Sequence, residues 1–103
     1  MRVRLKTRNS NVWAEGVYSK DKFIVKAGGK IRKDFSQHVR GGKAALSYRK
    51  NKEYVDGDGN IIKDCEFKSP STAAQFVTGT SINGMLAWKT KDGKSLKASV
   101  AEE

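Results

Sequence analysis

The stretch F-K-S-P-S-T-A-A, residues 67–74, holds the only proline of a 103-residue chain and decides how its second half folds. Proline lacks a backbone donor, and the first turn of a helix has no intrahelical use for one, so proline is favoured at the first helical position. Ser69 is then the N-cap, and Gly79 is a natural left-handed stop. Between them Ala73, Phe76 and Val77 recur at helical spacing, and the small Ala73 and Ala74 allow a close approach to a sheet. The spacing predicts a short helix over 70–78.

The hydroxyls of this stretch carry a second reading. Ser69, Ser71 and Thr72 gather at a helix start, where free donors and the helix dipole favour an anion, so the residues that cap could also cradle a phosphate. Nucleophilic catalysis is the poorer reading. A catalytic serine needs a base, and the single histidine, His38, lies in a basic segment bracketed by glycine pairs.

Working outward, residues 2–8 (Arg-Val-Arg-Leu-Lys-Thr-Arg) alternate with the period of a half-buried strand. Val3, Leu5 and Thr7 face the core, which sends Arg2, Arg4, Lys6 and Arg8 to the other side. Four like charges on one strand face repel one another unless something negative covers them. Strands at 12–19 and 22–26 continue an antiparallel meander. From 27 to 42 the pattern breaks, and Lys30, Arg32, Lys33 and Arg40 stand in what reads as a basic, flexible loop. A helix is expected over 43–52 with Ala44, Ala45 and Tyr48 inward, and a strand over 61–67. The C-terminal third reads as a hairpin of strands 85–90 and 95–100 around Lys91-Asp92-Gly93, with Gly93 left-handed. That register pairs Trp88 with Leu96 and Leu86 with Ala98. Asn83-Gly84 makes the turn before it. The expected fold is α+β: a small antiparallel sheet with two short helices in one domain, 1–103.

The charge is lopsided. The net value is +10, yet residues 1–53 hold 15 Lys/Arg against 4 Asp/Glu and residues 54–103 hold 6 against 7. Such a distribution points to a polyanionic partner, because each phosphate neutralised releases condensed counterions. A merely solubilising face is the plainer alternative. No apolar run is long enough to span a bilayer, so no membrane partner is expected. The single cysteine and an opening without a signal-peptide pattern lead us to expect a cytoplasmic protein.

Other motifs fail on their spacing. Asp56-x-Asp58-x-Asn60 opens like a calcium loop, but Ile61 stands where glycine is needed and Phe67 where glutamate is. Gly42-Lys43-Ala44 lacks the hydroxyl residue and the upstream glycine of a phosphate loop. Cys65 is in phase with Phe67 and reads as a small buried residue, with a Cys65–His38 pair the catalytic alternative. No metal or other cofactor is expected.

Two segments resemble a known family. "AEGVYSKDKFIVKAGGKI" (14–31) and "FKSPSTAAQFVTGTSINGMLAWKTKDGKSL" (67–96) are similar to a small domain of unknown function of the RAMA type. That domain is named for its association with restriction enzymes and adenine methylases, and occurs beside GIY-YIG-type nucleases. Ser69, Pro70, Ser71, Ala73, Ala74, Gly79, Asn83, Gly84, Trp88, Lys89, Asp92 and Gly93 carry the match. The resemblance implies a non-catalytic accessory module that contacts DNA, modified DNA included, with a nuclease or methylase as protein partner. Asn83 and Lys89 join the candidate nucleic-acid-binding residues as polar groups that would read a base or bind a second phosphate if the Asn-Gly turn lies near the start of the 70–78 helix. The competing expectation is a scaffolding module whose basic face docks an acidic protein.

Overall fold

In the computed structural model, residues 1–7, 11–33 and 43–101 are described. Among them, β1 (Arg2–Lys6), β2 (Trp13–Tyr18), β3 (Phe23–Val25) and β4 (Cys65–Phe67) form an antiparallel sheet in the order β1-β2-β3-β4. Four helices accompany it: α1 (Lys43–Lys50), α2 (Pro70–Thr78), α3 (Gly84–Ala87) and α4 (Leu96–Ala101). The α+β architecture is as expected.

Alternation builds the sheet. Val3 and Leu5 of β1, Ala14 of β2, Phe23 and Val25 of β3, and Cys65 and Phe67 of β4 are all buried on one face. The register Arg4↔Glu15, Val17↔Ile24 and Ile24↔Glu66 puts the complementary set on the other face. Helix α2 lies across the inner face with Ala73, Ala74, Phe76 and Val77 buried. Its ends are the ones read from the sequence. Ser69 is extended (φ −144°, ψ 154°) and its hydroxyl accepts the Thr72 N–H at 3.2 Å, while Gly79 is left-handed at φ 73°. Helix α1 packs on α2 through Tyr48, whose ring lies 5.1 Å from Phe67 and 6.1 Å from Phe76. Ala44 is exposed rather than inward, and half-buried Arg49 donates from Nε to the Phe76 carbonyl at 2.9 Å.

The expected strands 85–90 and 95–100 are corrected. Asn83 caps α3 by accepting the Met85 N–H at 3.0 Å, and the Ser95 hydroxyl accepts the Ala98 N–H at 3.2 Å at the start of α4. Both side chains offer helix starts that a ladder would leave unused. The hairpin shrinks to one bridge, Lys89↔Ser95, closed over a loop in which Gly93 is left-handed (φ 84°) as expected. Trp88 and Leu96 still meet, since the Leu96 N–H donates to the Trp88 carbonyl at 2.8 Å and both are fully buried. Leu86 is exposed.

Two further boundaries differ. The strand expected over 61–67 is regular only at Cys65–Phe67, because Ile61 instead bridges Val55. Residues 27–33 of the expected loop are tied into the fold: Gly28 N–H donates to Ile61, Lys30 N–H to Trp13, Ile31 N–H to Gly59 and Arg32 N–H to Val77, each at 2.8 Å. The rest of that loop, 34–42, lies outside the described residues.

Candidate nucleic-acid interface

The outer face of the sheet is assembled by pairing. Directly opposed residues on antiparallel strands point to the same side. One row across the face therefore runs Lys6, Trp13, Lys30 and Asn60, joined by Lys6↔Trp13, Trp13↔Lys30 and Lys30↔Asn60. A second runs Lys89, Arg4 and Glu15. A third runs Arg2, Val17, Ile24 and Glu66. Lys89 reaches this face because its backbone extends the β1 edge: Arg4 N–H donates to the Lys89 carbonyl at 2.7 Å, and Lys89 N–H to the Arg4 carbonyl at 2.8 Å.

Four cations thus share one exposed surface. Arg2, Arg4, Lys6 and Lys89 are all exposed. Arg2, Arg4 and Lys89, with Lys26, Lys91 and Glu15, line a groove of about 260 Å³. Among the described residues, Lys22 pairs with Glu66 at 3.5 Å and Lys26 with Asp64 at 2.8 Å, whereas Arg2, Arg4, Lys6 and Lys89 have no carboxylate within ion-pair distance. The Lys26 hydrogen bond, then the Ala27 N–H at 2.8 Å, hold the Asp64 carboxyl below its usual range. Lys26 is already neutralised; the β1 row is not.

The other expected site residues are elsewhere. Ser69, Ser71 and Asn83 come together, but around the start of α2 beneath the inner face, and each is committed to backbone. Ser71 Oγ accepts the Gly84 N–H at 2.9 Å, and Trp88 Nε1 donates to the Pro70 carbonyl at 2.9 Å. A Cβ at Gly84 would overlap the Pro70 carbonyl and the Ser71 nitrogen, so glycine is what lets α3 dock here. The Asn-Gly turn does lie at the helix start. Lys30 is half-buried within the Trp13 row. Arg32 and Lys33 are exposed, and Lys33 lines a separate cleft of about 410 Å³ with Arg49, Lys50, Lys52 and Asp56. Arg8 and Arg40 lie outside the described residues, as does His38.

Reading the charges alone missed Trp13. It retains 40% of its surface and stands between Lys6 and Lys30 in its row on the outer face. The signal was present in the alternation, since Val12, Ala14 and Gly16 all turn inward and leave the indole in the opposite phase.

The remaining chemistry is quiet. Cys65 is fully buried, and burial together with the neighbouring Asp64 charge pushes its thiol up to about 12. Asp56 accepts from Asn60 Nδ2 and from the Asp58 and Asn60 N–H groups, which lowers its pKa and closes the turn upon itself. No group of metal-ligating side chains occurs among the described residues.

These features define a small α+β domain with an exposed, unneutralised basic sheet face. The chain belongs to a family described as Domain of unknown function (DUF4357), whose model matches residues 4–100. No curated protein and no solved structure matches it. No helix among the described residues is long and apolar enough to cross a membrane.

Proposed function

We propose that this domain is a non-catalytic nucleic-acid-binding module and that the outer face of its sheet is the binding surface. The observation that carries the reading is the group of four exposed cations, Arg2, Arg4, Lys6 and Lys89, held on one sheet face without carboxylate partners among the described residues. Holding like charges together is unfavourable in the free protein and favourable against a row of phosphates, where counterion release adds to direct attraction. The state of the candidate nucleophiles supports a binding role over catalysis. The buried Cys65 thiol is held protonated, and the hydroxyls of Ser69 and Ser71 are engaged by backbone N–H groups.

The resemblance of segments 14–31 and 67–96 to the RAMA type supports DNA as the nucleic acid, modified DNA included. It also supports a role as accessory to a restriction-modification or nuclease system, with the bond-breaking chemistry on a nuclease or methylase partner; the single cysteine supports a cytoplasmic setting. Titration of the protein with duplex DNA, single-stranded DNA, RNA and heparin over a range of salt tests the reading. Binding that weakens linearly in log salt is expected. Tight binding to an acidic protein with none to any of these polyanions would replace it with the docking-module reading.

A further inference from the structure

The exposed indole of Trp13 bears on which form of nucleic acid the face takes. Its backbone is clamped on both sides. Trp13 N–H donates to the Lys30 carbonyl at 3.0 Å and Lys30 N–H to the Trp13 carbonyl at 2.8 Å, while Lys6 pairs with it from β1. The indole is therefore presented from a fixed strand position, flanked by Lys6 and Lys30 in the same row. Leaving a large aromatic at 40% exposure keeps apolar area in water that an inward position would bury. The other tryptophan, Trp88, is fully buried and donates its N–H to Pro70.

Alternate residues of β1 carry Arg2, Arg4 and Lys6 at a spacing of roughly 6.5–7 Å. This matches the scale of the phosphate repeat in an extended single strand. A shallow groove of about 250 Å³ is lined by Trp13 together with Arg4, Leu5, Lys6 and Glu15. In a duplex the base faces are covered by their stacked neighbours and are closed to an indole. An unpaired base can leave its stack and lie on an aromatic ring.

We infer that the outer face binds single-stranded nucleic acid, with one base stacked on Trp13 and the strand's phosphates tracking Arg2, Arg4 and Lys6. The inference rests on the nucleic-acid-binding reading and narrows it to a strand form. The test compares a short oligothymidine with a duplex of equal length, using wild type, Trp13→Ala and Trp13→Phe, each checked for an unchanged melting transition. The expected result is tighter binding of the single strand by wild type. Trp13→Ala should weaken it about 5- to 150-fold, corresponding to the loss of one stacked base. Trp13→Phe should restore most of the affinity while abolishing the quenching of indole emission on binding, since Trp88 is out of contact with ligand. Unchanged single-strand affinity in Trp13→Ala, or a wild-type preference for duplex, overturns this inference and leaves nucleic-acid binding standing. Failure of wild type to bind either oligonucleotide removes the underlying reading instead.

Discussion

Ser69 and Ser71 are two residues apart and do different work. Ser69 caps α2 through the Thr72 N–H, so Ser69→Ala should cost about 0.5–2 kcal/mol of stability. Ser71, one of the hydroxyls that could cradle a phosphate at this helix start, accepts the N–H of buried Gly84 through its side chain. Ser71→Ala should therefore destabilise as well, by about 1–3 kcal/mol, because it strands a buried donor. Chemical denaturation checks both values, and nucleic-acid affinity measured on the folded variants should equal that of wild type. Cys65 gives a pH prediction. Its thiol is raised from an ordinary 9.0 to about 12 in the folded chain, so the unfolded chain loses that proton first as pH rises. Its contribution to stability is present below about pH 9 and is lost progressively above it. Iodoacetamide should leave Cys65 unmodified in the native protein at pH 8 and alkylate it promptly in denaturant.

At the scale of elements, β1 sets the electrostatics and the segment 83–101 shows what local pattern hides. The alternation of residues 2–6 and the Ser-Pro start and Gly79 stop of α2 were legible because each is fixed by neighbours in sequence. The sequence pattern predicts strands over 85–90 and 95–100, where the chain instead forms α3 and α4, because short apolar runs look alike in either state. Capping by Asn83 and Ser95, and the Trp88 anchor on Pro70, decide for helix; the last of these is a contact 18 residues away in sequence. The ordering of residues 28–32 was hidden for the same reason, since its partners lie at Trp13, Gly59, Ile61 and Val77. The Arg2, Arg4 and Lys6 row was visible at once, whereas Lys89 joins it only through the bridge to Arg4. Glu15, paired with Arg4, is the acidic residue lining the groove beside that row. Glu15→Gln should tighten nucleic-acid binding, most at low salt, by removing a charge that repels phosphate. Weaker binding by this variant would mean that Glu15 serves to orient Arg4.

Over the whole molecule, Arg2, Arg4, Lys6 and Lys89 lie exposed on the sheet's outer face, while its inner face and α2 form the apolar core. On the proposed reading, the core that sets stability and the face that binds are separated by the thickness of one sheet. Changes on the outer face should alter affinity with little effect on folding, and changes around Trp88 and α2 should do the reverse. The most direct measurement is the salt dependence of oligonucleotide binding by wild type and by the double variant Arg2→Gln with Arg4→Gln. The account predicts weaker binding to every sequence. It also predicts a slope of log affinity against log salt that is shallower by about 0.9 per lost contact on duplex, or about 0.7 on a single strand. A slope identical to that of wild type would show that phosphates do not meet β1, and would contradict the assignment of this face.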